Sequence, residues 1–425
     1  MTRSQLFTAI KRFSDDVSRV RRTMALREVA DGQVIVLVTM AIVVLLGCVS
    51  LASDVGLLWH TRLEMQAAAD AGALAGASAL LGGGSGNVSN SAQAATSSNG
   101  FTSATGTANN ANLVAVTVSN PPASGNYTGT SGAVEVLISQ KQPTFFMSVL
   151  GTSSVQVSAR AVATSGSDQN CLYTTATTGT SLLLNSGAKI TSACGIVLNS
   201  SSNNALMTNS GSSLTAGSIG MVGNYTGRGS ISPTPTTGVV PFSDPLSSLQ
   251  PPSVGNCQNP PNINGGQTVN LPPGYYCGLN INSNAKVDLS AGTYSFDGYV
   301  NVNSGATLSG SDATLYFKAG TLQANSGSTI TITAPTSGPF EGIAVFQDRS
   351  NRSGLNLDSG SSSTLTGAIY VPSGSVTFNS GSYANIYSII VASSMIVNSG
   401  ANLVLNNNYS SLPDGSPLKV AILVE

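Results

Sequence analysis

Histidine is almost absent from this chain of 425 residues, and its single copy, His60, follows a long apolar run. Because no histidine occurs after His60, a Ser-His-Asp triad or a histidine-based zinc site is excluded from residues 61–425. The sequence also has no Cys-x-x-Cys pair, no glycine-rich phosphate loop and no calcium-binding repeat of the RTX type. We expect no enzymatic activity, no metal site and no cofactor.

Charge is scarce as well. Charged residues make up 8% of the chain, against about 25% in ordinary soluble proteins. The net charge of −1 gives no reason to expect nucleic acid as a partner. A chain rich in Ser, Gly and Asn can be disordered, but the apolar residues here are regularly patterned, so we expect a folded protein.

The longest apolar run is Val34–Leu51, and no charged residue occurs from Gly32 to Ser53, 22 residues in all. As a helix these residues would extend ~33 Å, which fits a hydrocarbon core of about 30 Å. We predict a transmembrane helix that continues over residues 31–81 and ends at Gly82–Gly84. Steps of three and four predict its packing face: Trp59, Leu63, Ala67, Ala71, Leu74, Ala77 and Leu81.

Two other interpretations of this run stay open. A secretory signal peptide would be cleaved near Ser50-Leu51-Ala52, but its apolar region would be shorter. A lipoprotein would be lipidated at Cys48, although Leu46 departs from the small residue usual at that position. The basic leader of 30 residues and the helical continuation favour a permanent anchor.

The orientation follows from the positive charges. Residues 1–30 contain seven of the 17 Lys and Arg residues, and beyond the run Arg62 is the only basic residue before Lys141. This asymmetry predicts a cytoplasmic tail over residues 1–30. We therefore expect a single-pass protein of the inner (cytoplasmic) membrane whose bulk is periplasmic or otherwise extracytoplasmic.

Asp31-Gly32-Gln33 precedes the run, Ser53-Asp54-Val55-Gly56 follows it, and the segment LEMQAAADAGALAGA comes next, over residues 63–77. This pattern resembles the TadG-like (TadE/TadG) N-terminal domain of Flp/Tad pilus-assembly proteins. The similarity covers about 50 residues, and weaker similarity extends over Gln142–Gly151 and Ser158–Ala163. It implies a membrane-anchored component with pilus-assembly proteins as partners. The positions that carry the family motif are Gly32, Asp54, Gly56, Gln66, Ala68, Ala69, Asp70, Ala75 and Gly76.

One position departs from the pilin pattern. Proteins processed by a prepilin peptidase carry a glutamate five residues after the cleavage-site glycine, and the fifth residue after Gly32 is Leu37. We therefore expect the N-terminal segment to stay uncleaved.

Residues 82–166 predict a small α+β module. Alternating apolar residues indicate strands at Asn112–Ser119, Ala133–Gln140 and Val155–Ala163. A weak helix is predicted at Ser91–Ser97 and a turn of helix at Phe145–Leu150. One face of the three strands would pack on the long helix.

Residues 167–412 contain internal repeats of roughly 20 residues, in which short alternating strands flank a polar turn. This period predicts a right-handed parallel β-helix with three strands per coil, so the fold class is mostly β. We expect a Pro-rich insertion at Ser232–Pro273 and a loop at Gly342–Asn356 as excursions, and a C-terminal segment over residues 413–425. Asparagine side chains stacked from coil to coil would support the turns, which begin at Asn185, Asn209, Asn282, Asn303, Asn325, Asp358, Asn379 and Asn398.

The five cysteines predict two disulfides. Cys171–Cys194 and Cys257–Cys277 are separated by 23 and 20 residues, close to one coil, and neighbouring coils lie within reach of a disulfide. Cys48 would stay reduced in the membrane. The first disulfide would tie down the free end of the solenoid, and the second would close the base of the Pro-rich insertion.

Only carboxylate chemistry is left for an enzyme. The candidates are Asp288, Asp297 and Asp312, but Asp288 and Asp312 differ in their distance from the preceding turn, so they do not stack. We interpret Asp348–Arg352 with Glu341 as a solvated loop held by local ion pairs. We expect interior ladders rather than sugar-stacking surface from Tyr275, Tyr276, Tyr294, Tyr299 and Tyr316.

The sequence thus predicts a membrane-anchored, extracytoplasmic structural component of a Flp/Tad-type pilus assembly or surface scaffold. Two alternatives remain: a membrane-tethered polysaccharide-active β-helix enzyme, and a surface adhesin. Two carboxylates about 5–9.5 Å apart in an open groove would favour the enzyme.

Overall fold

The structure is a computed structural model that describes residues 3–81, 85–103, 114–167, 169–357, 362–384, 388–413 and 415–425. Only the backbone is described for residues 3–33, 85, 167, 362–363 and 382–384. The chain is mostly β, with 42% strand and 18% helix. It divides into two compact units, one of residues 1–80, 84–164 and 421–425, the other of residues 81–83 and 165–420.

Helix α1 (Arg3–Leu81) begins well before the predicted start, because the basic leader is helical too. Within the described part of the chain it is the one helix long and apolar enough to cross a membrane. Most side chains of Val34–Leu51 are exposed, as expected for a surface that lipid would cover. The predicted terminator, Gly82–Gly84, lies outside the described residues.

The rest of the first unit is a helix and a four-stranded sheet, in which the first three strands pair antiparallel. A 3-10 turn (Ser85–Asn87) leads into α2 (Val88–Ser98), and the strands β1 (Val114–Ser119), β2 (Ala133–Pro143) and β3 (Ser154–Ser167) follow, with a 3-10 turn (Met147–Leu150) between the last two. The three predicted strands are present, although residues 112–113 lie outside the described part. A fourth strand, Lys419–Leu423, joins the edge of β3 and was not predicted.

The second unit is a β-solenoid of about 10 turns whose short strands pair in parallel. Its right-handed sense stays a prediction. The first stretch of chain forms the strands Asn170–Thr174, Leu182–Leu184, Lys189–Ser192, Gly195–Leu198, Leu206–Thr208, Ser213–Thr215, Ile219–Met221, Tyr225–Gly227, Ser230–Ser232 and Thr236–Thr237.

A second stretch of chain forms the remaining coils. Isolated bridges at Gln258 and Ile263 begin it. The strands are Thr268–Leu271, Gly274–Tyr276, Leu279–Ile281, Lys286–Leu289, Gly292–Asp297, Val300–Val302, Thr307–Gly310, Ala313–Ala319, Leu322–Ala324, Thr329–Thr333, Ile343–Gln347, Leu355–Leu357, Ser362–Phe378, Gly381–Ala384, Ser388–Val397 and Ala401–Leu405.

The coils are not stacked in sequence order. The last coil of the second stretch pairs with the first coil of the first stretch, with Ile390 opposite Leu172 and Leu403 opposite Ile190. The chain therefore enters the solenoid in the middle of the stack, at residue 170. It coils outward to residue 237, crosses to the far end, and coils back from residue 258 until it meets its own beginning.

Residues 238–257 make this crossing, and we call them the strap. They are not an excursion, because the amide of Asn199 bonds to the backbone of Phe242 in both directions at 3.2 Å, and the ring of Phe242 lies edge-on to Tyr173. The predicted loop at Gly342–Asn356 is also wrong in part, since it contains two regular strands.

Two apolar cores hold the solenoid together. The inner core runs through the coil interior and contains the alternating residues on which the repeat was predicted, such as Leu182, Val302 and Leu403. The second core lies on the outer face of one sheet and contains Tyr316, Phe346 and Tyr370, with the strap packed over them. Because this second core covers the outer face of the sheet, some strands are buried on both faces and consist of continuous runs of apolar residues.

Candidate functional site

Asp54, one of the family-motif residues, lies in α1 just after the exposed apolar stretch Val34–Leu51. Asp54 is only 2% exposed, and its carboxylate accepts hydrogen bonds from the backbone N–H groups of Phe145, Phe146 and Met147 at 3.0, 2.9 and 2.7 Å. These N–H groups open the 3-10 turn Met147–Leu150. Asp54 therefore fixes the loop between β2 and β3 to the helix at the end of the apolar stretch.

Small residues further along α1 allow the helix to lie close to its neighbours. A Cβ atom on Gly72 would come within 2.6 Å of Thr96 Cγ2 on α2, and one on Gly76 within 2.8 Å of Val134 Cγ1 on β2. The alanines beside these glycines are fully buried: Ala68, Ala69, Ala73 and Ala77. The run of Ala and Gly is thus a packing surface for α2 and the sheet.

The predicted packing face of α1 is rotated from the observed one. Trp59 and Leu63 are 61% and 56% exposed, and Ala67 is exposed as well. Of the predicted residues Ala77 is buried, and the other buried residues are Asp54, Thr61, Met65, Ala68, Ala69, Gly72, Ala73 and Gly76. The predicted steps of three and four, which start at Trp59, are displaced by one or two positions from the observed face. That face is centred on Gly72 and Gly76, where close approach to α2 and the sheet requires small residues.

Gln66 connects the helix to β3. Its amide donates to Asp70 Oδ1 at 2.7 Å and to the carbonyl of Arg160 at 3.0 Å. Among the other motif positions, Ala75 is half-buried and Gly56 has no atom within 4 Å of its Cβ position. Gly32 lies in the part of α1 for which only the backbone is described.

A charged group at the other side of the sheet was missed by the sequence reasoning. The guanidinium of Arg160 donates to Glu135 and to Glu425 Oε2, the latter at 2.5 Å. Ser124 Oγ and the backbone N–H of Ala123 also donate to the Glu135 carboxylate, at 2.6 and 2.7 Å. Residues this far apart in sequence give no local signal of such a cluster.

This cluster shifts the pKa values of its members. Burial by itself would raise the pKa of Glu135, but the hydrogen bonds from Ser124, Arg160 and Ala123 outweigh it and hold the pKa below its usual range. The hydrogen bond from Arg160 lowers the pKa of Glu425, and the same bond raises the pKa of Arg160. All three groups are therefore charged at neutral pH.

Two family models match the same part of the chain that this geometry organises. The model for Flp pilus-assembly TadE/G-like proteins matches residues 32–79, and the model for Tad-like Flp pilus-assembly proteins matches residues 67–163. Residues 32–163 are therefore similar to Flp/Tad pilus-assembly proteins. No curated protein and no solved structure matches the chain.

We call residues 32–163, which the two family models cover, the Tad-like module. It contains the apolar stretch of α1, the hydrogen bonds between Asp54 and the loop after β2, the packing surface at Gly72 and Gly76, the strands β1 and β2, and most of β3. The resemblance seen in the sequence is thereby confirmed. Neither match extends into the solenoid, which begins after the Tad-like module ends.

The three carboxylates considered for catalysis lie apart in the solenoid register. Asp288 stands opposite Asn270 and Ser309, and Asp297 stands opposite Ala319. Asp297 accepts a hydrogen bond from Tyr275 at 2.9 Å and lies 3.8 Å from Lys318 Nζ. Asp312 occupies a turn with φ of 53°. None of the three has another of them as a register partner.

The cluster predicted to be a solvated loop fastens the strap instead. Arg349 Nε lies 3.4 Å from Asp244 Oδ2, and its Nη2 donates to the carbonyls of Leu246 and Leu249 at 2.6 and 3.0 Å. Tyr370 donates to the same carboxylate of Asp244, and Arg349 lies over its ring. The ion pair joins residues 105 positions apart, so it is not local.

Asp348 is the second charged member of this cluster. Burial would raise its pKa, but bonds from Ser350 and from Tyr316, the latter at 2.8 Å, outweigh it and lower the pKa. Burial, together with this bond to Asp348, raises the pKa of Tyr316. The hydrogen bond between them joins the strand Ala313–Ala319 to the residue that follows the strand Ile343–Gln347.

The tyrosines divide between interior and surface. Tyr276 stacks on Phe296, with ring centroids 6.1 Å apart, and Phe296 stacks on Phe317 at 5.3 Å, as in the predicted interior ladder. Burial raises the pKa of Tyr294 to about 12. Tyr316 is buried in the outer core, whereas Tyr275 is half-buried and Tyr299 is 50% exposed.

Both predicted cysteine pairs lie at disulfide distance. The Cα atoms are 5.6 Å apart in Cys171–Cys194 and 4.9 Å apart in Cys257–Cys277, and Cys48 is unpaired and exposed. The first disulfide does not tie down a free end, because the coil of Cys171 lies inside the stack. Among the described residues no group of three His, Cys, Asp or Glu side chains could hold a metal ion.

Proposed function

We propose that this chain is a membrane-anchored structural component of a Flp/Tad-type pilus assembly, without enzymatic activity. The observation that carries the proposal is that the family match at residues 32–163 coincides with one physical unit. In that unit the exposed apolar stretch of α1 continues directly into the helix on which the module is built. An anchor and a pilus-assembly module are therefore inseparable in this chain.

We further propose that the N-terminus is cytoplasmic and the solenoid extracytoplasmic. Seven Lys and Arg residues precede the apolar stretch and one follows it closely, which favours this orientation. Two cysteine pairs at disulfide distance support it, since disulfides persist in oxidising compartments.

A structural role is supported by how the solenoid uses its polar residues. Asparagine amides bond from coil to coil, and the cluster around Arg349 holds the strap. The carboxylates that could serve hydrolysis, Asp288 and Asp297, stand opposite Ser309 and Ala319 in the register rather than opposite each other. The solenoid would serve as a scaffold surface for other pilus components.

Two measurements test this proposal. Protease added to spheroplasts should degrade the solenoid and leave a short tail fragment protected, whereas full protection of the solenoid would overturn the orientation. Crosslinking in pilus-producing cells followed by purification of the tagged chain should recover pilus-assembly proteins. An unrelated single-pass protein expressed at the same level is the control, and equal recovery with both would overturn the role in assembly.

A further inference from the structure

We propose that the loop between β2 and β3, Thr144–Thr152, inserts into the same lipid leaflet as the end of the α1 apolar stretch. The chain would then hold the membrane at two points, a spanning helix and an interfacial loop. The inference rests on the membrane anchoring of the proposed function, and it adds a lipid-binding surface that the span does not require.

The loop exposes large apolar side chains. Phe145 and Phe146 are 67% and 49% exposed, and Val149 and Leu150 are each 83% exposed. The hydroxyl of the polar residue among them, Ser148, donates to the carbonyl of Phe145 at 2.5 Å. Such a patch on a surface otherwise rich in Ser, Thr and Asn indicates a site that another apolar phase covers.

The patch lies at the height of the last turns of the apolar stretch. Phe146, Met147, Val149 and Leu150 line one side of a cavity of about 230 Å³, and α1 residues Gly47, Ser50 and Leu51 line the other. These helix residues precede Asp54 by three to seven positions, or about 4–10 Å at 1.5 Å per residue. That depth matches an element that lies at the boundary between headgroups and acyl chains.

The backbone of the loop is prepared for a medium without water. Asp54 accepts from the N–H groups of Phe145, Phe146 and Met147. The N–H groups of Val149, Gly151 and Thr152 donate to carbonyls within the loop at 3.0–3.2 Å. Because an unsatisfied N–H is costly in lipid, this pairing removes the main penalty for inserting a non-helical segment.

Continuity with the span favours lipid as the occupant over a second protein. At the height of the loop, α1 also exposes Leu45, Leu46 and Val49, so acyl chains already surround the helix there. Asp54 ties the loop to this same part of the helix. A loop fixed at that height therefore faces the lipid that covers the helix.

The test uses the full chain in liposomes at a low protein-to-lipid ratio. Trp59 is the only tryptophan, so Trp59→Phe gives a background in which Leu150→Trp or Thr130→Trp introduces a single reporter. Thr130 is exposed in the loop that precedes β2, at the opposite end of that strand from Thr144, and is the matched control. Quenching by lipids brominated near the headgroup is compared with quenching by aqueous acrylamide.

We expect brominated lipid to remove most of the Leu150→Trp emission and acrylamide to have little effect, with the opposite result for Thr130→Trp. Equal acrylamide quenching of both reporters would overturn the inference. Protection of Leu150→Trp that disappears when lipid is added at constant protein would also overturn it, because a second copy would then be the occupant. Resistance of the chain to carbonate extraction, measured in the same samples, tests the anchor separately.

Discussion

The amide of Asn185 donates to Oδ1 of Asn398 at 2.6 Å, although the two residues are 213 positions apart. Asn185 in turn accepts from Asn209 at 2.9 Å, and Asn398 donates to Asn379 at 2.6 Å. The turn asparagines therefore form a continuous ladder across the junction between the last coil and the first. The predicted position Asp358 lies outside the described residues.

This ladder has a consequence for folding. The first coil, with Leu182, can complete its pairing on one side only when the last coil, with Met395, has formed. The junction therefore depends on contacts of very large sequence separation, which slow folding. The strap and the two disulfides then stabilise a stack in which the last coil pairs with the first.

The close approach of α1 to its neighbours predicts a sharp difference between two glycines. Gly72→Ala would place a Cβ atom 2.6 Å from Thr96 Cγ2 and 3.3 Å from the carbonyl of Ala92, so we expect a loss of about 1–3 kcal/mol. Gly56→Ala meets no atom within 4 Å and should gain up to about 1 kcal/mol in helix propensity. Thermal unfolding of the full chain in detergent measures both. Equal effects would contradict the packing surface.

The strap predicts a similar contrast between two arginines. Arg349→Ala removes the donor to two strap carbonyls and the partner of Asp244, so we expect a loss of about 2 kcal/mol. Chymotrypsin should then cleave faster at Phe242. Arg352→Ala changes an exposed side chain three residues away and is the control. An unchanged cleavage rate in Arg349→Ala would show that Arg349 does not hold the strap.

Acid should weaken the Tad-like module through Glu135. In the unfolded chain the pKa of Glu135 is near 4.3, the ordinary value for a glutamate. In the folded chain its pKa is lower. Ionised Glu135 therefore contributes to stability above about pH 4.3, and this contribution is lost as the pH falls through the pKa of the folded state. In Glu135→Gln, unfolding followed between pH 7 and pH 3 should depend less steeply on pH below about 4.3. An identical dependence on pH in both proteins would exclude Glu135 as the cause of the acid sensitivity.

The disulfides predict a simple peptide map. Trypsin cleavage without reduction should link the peptide of residues 161–189 to that of residues 190–228, and should leave Cys257 and Cys277 joined within residues 229–286. Each bridge closes a loop of about 20 residues, worth ~3 kcal/mol in the loop-entropy model. A Cys171–Cys257 link, or four reduced thiols in protein from an oxidising compartment, would refute the pairing.

Local patterns predicted much of this fold. Alternation at positions such as Val300 and Val302 identified strands, and the separation of Cys171 from Cys194 identified one coil, because both follow from the geometry of neighbouring strands. The order of the coils could not be predicted in this way. Every coil presents the same apolar pattern, so nothing local to Leu172 indicates that Ile390 rather than another residue lies beside it.

The candidate site shows the same limit. The motif around Asp54 carried the resemblance to Flp/Tad pilus-assembly proteins. The hydrogen bonds that Asp54 accepts come from Phe145–Met147, 91 to 93 residues away, and could not be predicted from the motif. The packing face of α1 was wrong in part, because steps of three and four fit more than one face of a helix rich in alanine. Ala77 was predicted correctly, but Gly72 and Gly76 were not included. Arg160 and Glu135 were missed because charge pairs across a sheet leave no periodic signal.

The proposed scaffold depends on the solenoid being one continuous stack, in which the coils do not follow the order of the sequence. Leu183 and Ile396 are half-buried register partners across the junction, and Met207 lies one coil beyond Leu183. In the full chain with Cys48→Ser, we expect Leu183→Cys with Ile396→Cys to form an additional disulfide under mild oxidation. Ile396→Cys with Met207→Cys, two coils apart, should not form one. Rapid crosslinking in the first variant alone would support the stack, and its absence there, or equal crosslinking in both, would contradict it.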